Sequence, residues 1–79
     1  MLVQIGFSLS LKSANFKNAN LQGADLSNSN LQGAHFEFAN LQAADLTNAN
    51  LKNADLTGAV TQGADFSGSN RNGCIGCPD

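Results

Sequence analysis

Two cysteines near the end of the chain are the side chains best suited to chemistry. Cys74 and Cys77 stand three residues apart in the segment CIGCPD. Such a pair can form a disulfide, take part in thiol redox exchange or give two thiolate ligands to zinc, although structural zinc takes four ligands and would need a dimer. We treat the pair as a candidate disulfide, with a thiol redox or metal role as an alternative. We favour a third interpretation, in which the pair belongs to a passive tail without chemistry.

A second group of titratable side chains lies in the segment AHFEF, residues 34–38. Here His35 and Glu37 flank Phe36, and Phe38 follows. A single histidine without a second histidine or a free carboxylate pair predicts neither a metal site nor acid–base catalysis. No nucleophile, base and orienting group can be assembled from the chain, and it has no glycine-rich phosphate loop in a strand-to-helix setting. We therefore expect no enzyme activity and no cofactor.

The composition and charge of the chain argue against nucleic acids and membranes as partners. Charged residues make up 13% of the chain, the net charge is −2, and Lys and Arg form no cluster. A nucleic-acid binder needs a basic stripe, and a bilayer span needs a run of about 18 apolar residues. The first residues also lack the basic start of a secretory signal. The sequence therefore predicts a soluble, cytoplasmic protein that binds neither nucleic acid nor a membrane.

The elements that must position these side chains are five-residue repeats. From Ala14 to Gly73 the chain divides into twelve units without an insertion, and the central residue is Leu or Phe in ten of them. A helix is excluded, because five residues advance about 500° around its axis and would scatter the large side chains. An extended chain that turns once per unit instead forms a solenoid. The side chains of the central residue and of the small residue two positions before it then point into the interior. The last residue of a unit is mostly Gly, Asn or Ala, which suits positive φ.

Several units carry a recognisable consensus. The runs ADLSN at residues 24–28, ANLQA at 39–43 and ADLTN at 44–48 resemble the pentapeptide-repeat family, whose consensus is A(D/N)LXX. The resemblance implies an all-β fold, a right-handed quadrilateral β-helix with four repeats per coil and about three coils in this chain. The outward residues by themselves repeat best after ten positions, which predicts an even number of faces.

The expected organisation has three parts. Residues 1–13 form an N-terminal capping strand, because apolar and polar residues alternate there. Residues 14–73 form the β-helix, and residues 74–79 form a flexible C-terminal tail. The last coil has Thr61 and Arg71 at central positions, so its end is weakly covered. We expect either that Arg71 turns outward and blunts this end or that a homodimer forms through the C-terminal coil and buries Leu56 and Phe66.

Four faces would bring side chains twenty residues apart into columns. Asp25, Asp45 and Asp65 would stack, although like charges about 5 Å apart repel. Two interactions could offset this repulsion. One is binding of a basic partner or a cation, and the other, which we favour, is the capping of backbone amides by each carboxylate. The other candidate partner surface is Phe38 with His35 and Glu37, where an exposed aromatic ring would anchor a contact. We favour the alternative for Phe38, in which the ring lies flat over small neighbours in its column.

These features predict a non-enzymatic interaction or structural scaffold with an unknown protein partner. The family resemblance adds an alternative, because some members resemble duplex DNA and bind type II topoisomerases. That role requires a long, strongly acidic rod, whereas this chain has six acidic and four basic residues. The thiol role of Cys74 and Cys77 is the third hypothesis.

Overall fold

The β-structure of this protein is a ladder of parallel pairs, each joining residues twenty positions apart. A computed structural model describes residues 10–78, so residues 1–9 and Asp79, and with them most of the predicted capping strand, lie outside it. Within the described range there is no helix and no continuous strand, but isolated bridges from Ser10 paired with Asn30 to Asp55 paired with Ile75. Because twenty residues are four units, one turn of the solenoid has four sides.

Backbone hydrogen bonds connect each unit to the units four before and four after it, which lie in the neighbouring coils. The amide of Leu46 donates to the carbonyl of Asp65, and the amide of Asp45 donates to the carbonyl of Ala24, each over 2.8 Å. Between consecutive units, the amide of Ala49 donates to the carbonyl of Leu46 and closes a turn. The same three kinds of bond recur along the ladder, so inner coils leave few backbone groups unpaired.

Every turn places its third residue in the left-handed region. The last residue of each unit has positive φ, from 58° to 73°, at Ser13, Asn18, Gly23, Asn28, Gly33, Phe38, Ala43, Asn48, Asn53, Gly58, Gly63, Gly68 and Gly73. Glycine and asparagine tolerate this conformation best, which explains why they predominate. The expectation of positive φ at this position is confirmed, and Phe38 is its bulkiest occupant.

Large central side chains and small side chains two residues before them fill the interior. Leu46 is fully buried, as are most of the central leucines, and the rings of Phe16 and Phe36 stack with centroids 5.0 Å apart. The inward hydroxyl of Ser29 donates to the carbonyl of Leu26, so it is satisfied without water. The predicted division into inward and outward positions is thereby confirmed.

The ladder extends further toward both termini than the predicted boundaries. Ser10 already pairs with Asn30, although the solenoid was expected to begin at Ala14. At the other end Ile75 donates to Ala54 and accepts from Leu56, although residues 74–79 were expected to lie outside the coil. The physical reason is that Cys74 is small enough for the inward position and lets the chain continue. No helix within residues 10–78 is long and apolar enough to cross a membrane.

Candidate functional site

The aspartate column is satisfied by its own units. Asp25, Asp45 and Asp65 pair in register along the ladder. In each case the carboxylate Oδ1 accepts two hydrogen bonds from the residue two positions later. Thr47, for example, donates to Asp45 from its backbone amide over 3.0 Å and from its hydroxyl over 2.7 Å. The column therefore caps the turns of the fold, as the favoured interpretation of the sequence expected.

Electrostatics of the column agree with this capping role. Hydrogen bonds from the hydroxyl of Ser27 and then from its backbone amide lower the pKa of Asp25, and desolvation has a smaller, opposite effect. Ser67 lowers the pKa of Asp65 in the same way. Hydrogen bonds to the charged form favour it, so they favour the ionised carboxylates of Asp25 and Asp65. Within residues 10–78, no Lys, Arg or His forms an ion pair with them.

A different surface surrounds Glu37. Its side chain is 15% exposed, and its Oε2 lies 4.0 Å from the Nζ of Lys17. Its Oε1 lies 3.5 Å from Nδ1 of His35, but this oxygen is buried and accepts no hydrogen bond. These three side chains and Asn15 line a shallow cavity of about 250 Å³.

Phe38 follows Glu37 in the chain and is the most exposed large apolar residue in residues 10–78. Its side chain is 62% exposed and its φ is +62°. The ring lies over Gly58 of the next coil, where an added Cβ would approach the ring carbon Cδ1 to 2.5 Å. The structure therefore combines the two sequence-based alternatives, because the ring rests on a glycine on one side and faces solvent on the other. We call Lys17, His35, Glu37 and Phe38 the Phe38 surface.

Two residues of this region were not singled out from the sequence. Lys17 and Asp55 lie twenty residues from Glu37 and His35, so the register of the ladder would have placed them in the same columns. The pKa of Asp55 is lowered mainly by hydrogen bonds from Thr57, with smaller contributions from the nearby charges of His35 and Lys17. The signal was present in the twenty-residue spacing that the family resemblance implied, but that spacing was applied to columns of identical residues, and Lys17 and Asp55 differ in type from Glu37 and His35.

The third candidate region is the C-terminal end of the solenoid. A disulfide joins Cys74 to Cys77, with their Cα atoms 5.8 Å apart. Nη1 of Arg71 donates to the carbonyl of Pro78 over 2.7 Å, and its guanidinium lies 6.0 Å from the centre of the Phe66 ring. A shallow cavity of about 370 Å³ opens beside these groups.

This end is more completely covered than the sequence indicated. Leu56 is 1% exposed and Phe66 is 7% exposed, so one chain already buries the two side chains that a dimer was expected to cover. Arg71 contributes to this by extending across the end. Within residues 10–78, His, Cys, Asp and Glu side chains form no group of three or more that could hold a metal ion.

Comparison with known proteins identifies the repeat. A family model described as pentapeptide repeats matches residues 10–48 and 34–73, in eight copies. No curated protein matches the chain. Solved structures that match include pentapeptide repeat proteins, three of which have a TM-score above 0.5 against this chain.

These three come from photosynthetic organisms. A protein from the thylakoid lumen of Arabidopsis thaliana is 36% identical, with a TM-score of 0.61 over 89% of this chain and 55% of its own. Rfr23 from the cyanobacterium Cyanothece is 31% identical, with a TM-score of 0.59 over 84% and 52%. A protein from Nostoc is 36% identical, with a TM-score of 0.58 over 86% and 60%. The chain thus spans little more than half the length of the structures it matches.

Proposed function

Since the chain belongs to the pentapeptide-repeat family and has the quadrilateral β-helix of its members, we propose that it is a non-enzymatic protein-interaction scaffold. It is a rigid right-handed post of about three coils that presents the Phe38 surface to a protein partner. Rigidity follows from the ladder, in which each inner unit is hydrogen-bonded to units of the coil before it and of the coil after it. A preordered surface loses little conformational entropy on binding.

The observation that carries this proposal is the conformation of Phe38. A bulky residue with φ of +62° is strained, and the position is otherwise occupied by Gly, Asn, Ala or Ser. The strain is not compensated by burial, because the side chain is 62% exposed. Backbone strain of this kind concentrates at functional sites, and exposed aromatic side chains are favoured anchors of protein interfaces.

Charge around Phe38 supports a contact with a polar protein surface. Lys17, His35 and Glu37 line one cavity, Glu37 directly precedes Phe38 in the chain, and Asp55 lies in the column of His35. Mixed charges around an apolar centre resemble the rim of an interface, where they set orientation more than affinity. The aspartate column lacks such a centre, and its carboxylates already accept hydrogen bonds within the chain. We therefore place the contact at the Phe38 surface.

Differential capture tests this proposal. Proteins retained from a native extract by the wild-type chain are compared with those retained by Phe38→Asn and by Asp45→Asn. Asparagine is native to the Phe38 column at Asn18, so the first variant keeps the fold and removes the ring. We expect a partner that is lost with Phe38→Asn and kept with Asp45→Asn. The opposite pattern would move the contact to the aspartate column, and equal retention by both variants would reject either surface.

Topoisomerase binding remains the alternative suggested by the family. The net charge of −2 makes the surface a poor substitute for duplex DNA. We expect no inhibition of supercoiling by the isolated chain, and inhibition at low micromolar concentration would reverse the ranking.

A homodimer through the C-terminal coil and a cytoplasmic location stay predictions. The burial of Leu56 and Phe66 leaves a dimer less apolar surface to cover than the sequence indicated. Light scattering across a range of concentrations tests the dimer, because a mass of one chain throughout would reject it. Cell fractionation of the source organism tests the location.

A further inference from the structure

The C-terminal end contains a chemical feature that the scaffold function does not use. Residues 74–78 continue the coil beyond the last complete unit, with Cys74 in the inward column of Ala54. Cys77 lies twenty residues after Thr57, at an outward position, and both cysteines are partly buried against the core. The disulfide therefore links an inward to an outward position of the same partial coil.

This partial coil has few other attachments. Its backbone bonds to the coil below are those of Ile75, which donates to Ala54 over 2.9 Å and accepts from Leu56 over 2.7 Å. Beyond Ile75, the described contacts that hold the segment are the disulfide, the bond from Arg71 to the carbonyl of Pro78, and partial packing of Cys77 on the core. A complete unit has more ladder bonds than this.

The segment also runs close to the core it covers. Gly76 has a φ of +76°, and a Cβ there would lie 3.0 Å from the carbonyl oxygen of Leu56. The chain can pass this near because glycine has no side chain. Leu56 belongs to the last complete coil, residues 54–73, and is nevertheless only 1% exposed because this segment covers it.

From this geometry we infer that the Cys74–Cys77 disulfide is a reduction-sensitive lock on residues 74–78. A dithiol reductant opens the lock, releases the segment from the ladder and uncovers the C-terminal end of the core beside Leu56. Cytosolic disulfides are usually transient or redox-sensing, whereas those in oxidising compartments persist, so the state of the end would follow the compartment.

The exchange consumes one dithiol for each disulfide. A thiolate of the reductant attacks Sγ of Cys77, which lies at the outward position, and the bond between the two sulfurs breaks as Cys74 leaves as a thiolate. The second thiol of the reductant then attacks the mixed disulfide and releases Cys77. The reductant ends as a disulfide, and the cysteine pair gains two electrons and two protons.

Residue-resolved hydrogen exchange on the full chain tests this inference, with dithiothreitol as the reductant. The reporters are the amides of Leu56 and Ile75, whose bonds join the segment to the ladder. The amide of Leu46 is the matched control, because it makes the same kind of bond to Asp65 on another face. Reduction is expected to lower protection at Leu56 and Ile75 by about tenfold or more and to leave Leu46 unchanged.

A double variant separates the lock from general effects of the reductant. Serine occupies the inward small position at Ser29 and Ser69, so Cys74→Ser with Cys77→Ser keeps the packing of the coil. We expect this variant to show the exchange of the reduced protein at once and to be insensitive to dithiothreitol. Full protection in the variant or after reduction of the wild type would overturn the inference. Equal loss at all three amides, or free thiols in the air-oxidised protein, would overturn it too.

Discussion

The aspartate column and the Phe38 surface have nearly the same backbone but use it differently. Asn48 and Phe38 occupy equivalent turn positions, with φ of +58° and +62°. Each lies against a glycine of the next coil, Gly68 under the asparagine and Gly58 under the phenylalanine. In the units of the aspartate column, the aspartate caps its own turn and the last residue is one that tolerates the left-handed conformation. On the Phe38 surface, one side chain is strained and one carboxylate oxygen has no donor.

This contrast shows how function is recognised in a repeat protein. Residues that obey the consensus are explained by the solenoid itself, because every one has a structural task that recurs in each coil. A departure from the consensus that costs stability needs another explanation. Phe38 is such a departure, whereas Asp25, Asp45 and Asp65 are not, although a column of three carboxylates attracts attention first in the sequence.

The largest expected effect lies in the interior that both surfaces share. Leu46 is fully buried, so Leu46→Asp would place a charge where no partner is available. We expect a loss of more than about 4 kcal/mol, which prevents folding of a domain of this size. Circular dichroism and urea unfolding measure it. Gln42→Asp, at an outward position, is the control, and similar behaviour of both variants would contradict the assignment of inside and outside.

The next effect distinguishes capping from binding in the aspartate column. Asp45→Ala removes the acceptor of two hydrogen bonds from Thr47, and we expect a loss of about 1–2 kcal/mol in the free energy of unfolding. Asp45→Asn keeps an oxygen in place and should lose much less. Urea unfolding compares the two. If alanine is as stable as aspartate, the carboxylate does not serve the turn and a partner again becomes its best explanation.

The sequence predicted the repeating parts of the fold well. Every unit repeats the same inward and outward pattern, so the burial of Leu46 and the positive φ of Asn48 follow from local rules applied many times. The period of twenty did not follow from the residues alone, because outward side chains repeat best after ten. The family resemblance implied it, but it was used to predict columns of identical residues, so Lys17 and Asp55 were not placed beside Glu37 and His35.

The C-terminal end could not be predicted by the same rules. Gly76 stands where a unit would have Leu or Phe, so the pattern indicated that the coil had ended at Gly73. The chain continues because Cys74 fits the small inward position and its disulfide to Cys77 replaces the missing central side chain as a constraint. Such a covalent link depends on geometry that spacing in the sequence does not specify.

Exchanging the two turn residues tests the comparison directly. Phe38→Asn relieves the strain of a bulky residue at positive φ, and we expect a gain of about 0.5–1 kcal/mol in stability. Asn48→Phe creates that strain above Gly68 and should cost a similar amount. Because the local surroundings match, the two changes should nearly cancel in the double variant. Thermal unfolding measures all three, and a loss of stability in Phe38→Asn would mean that the ring serves the fold.

The smallest effect is the response of the carboxylates to acid. Hydrogen bonds from Ser27 and Ser67 hold the pKa values of Asp25 and Asp65 below the ordinary 3.8, whereas no such bonds exist in the unfolded chain. A depressed pKa in the folded state contributes stability that is fully present above 3.8 and is lost as the pH falls through the lowered values. We therefore expect the melting temperature to be insensitive to these two groups above about pH 5 and to fall below about pH 4. Melting curves of the wild type and of Asp25→Asn with Asp65→Asn, recorded from neutral pH into this range, measure the difference. The variant should lose less in acid, because its amides accept the same bonds without titrating, and an identical acid response in both proteins would show that these bonds do not depend on charge.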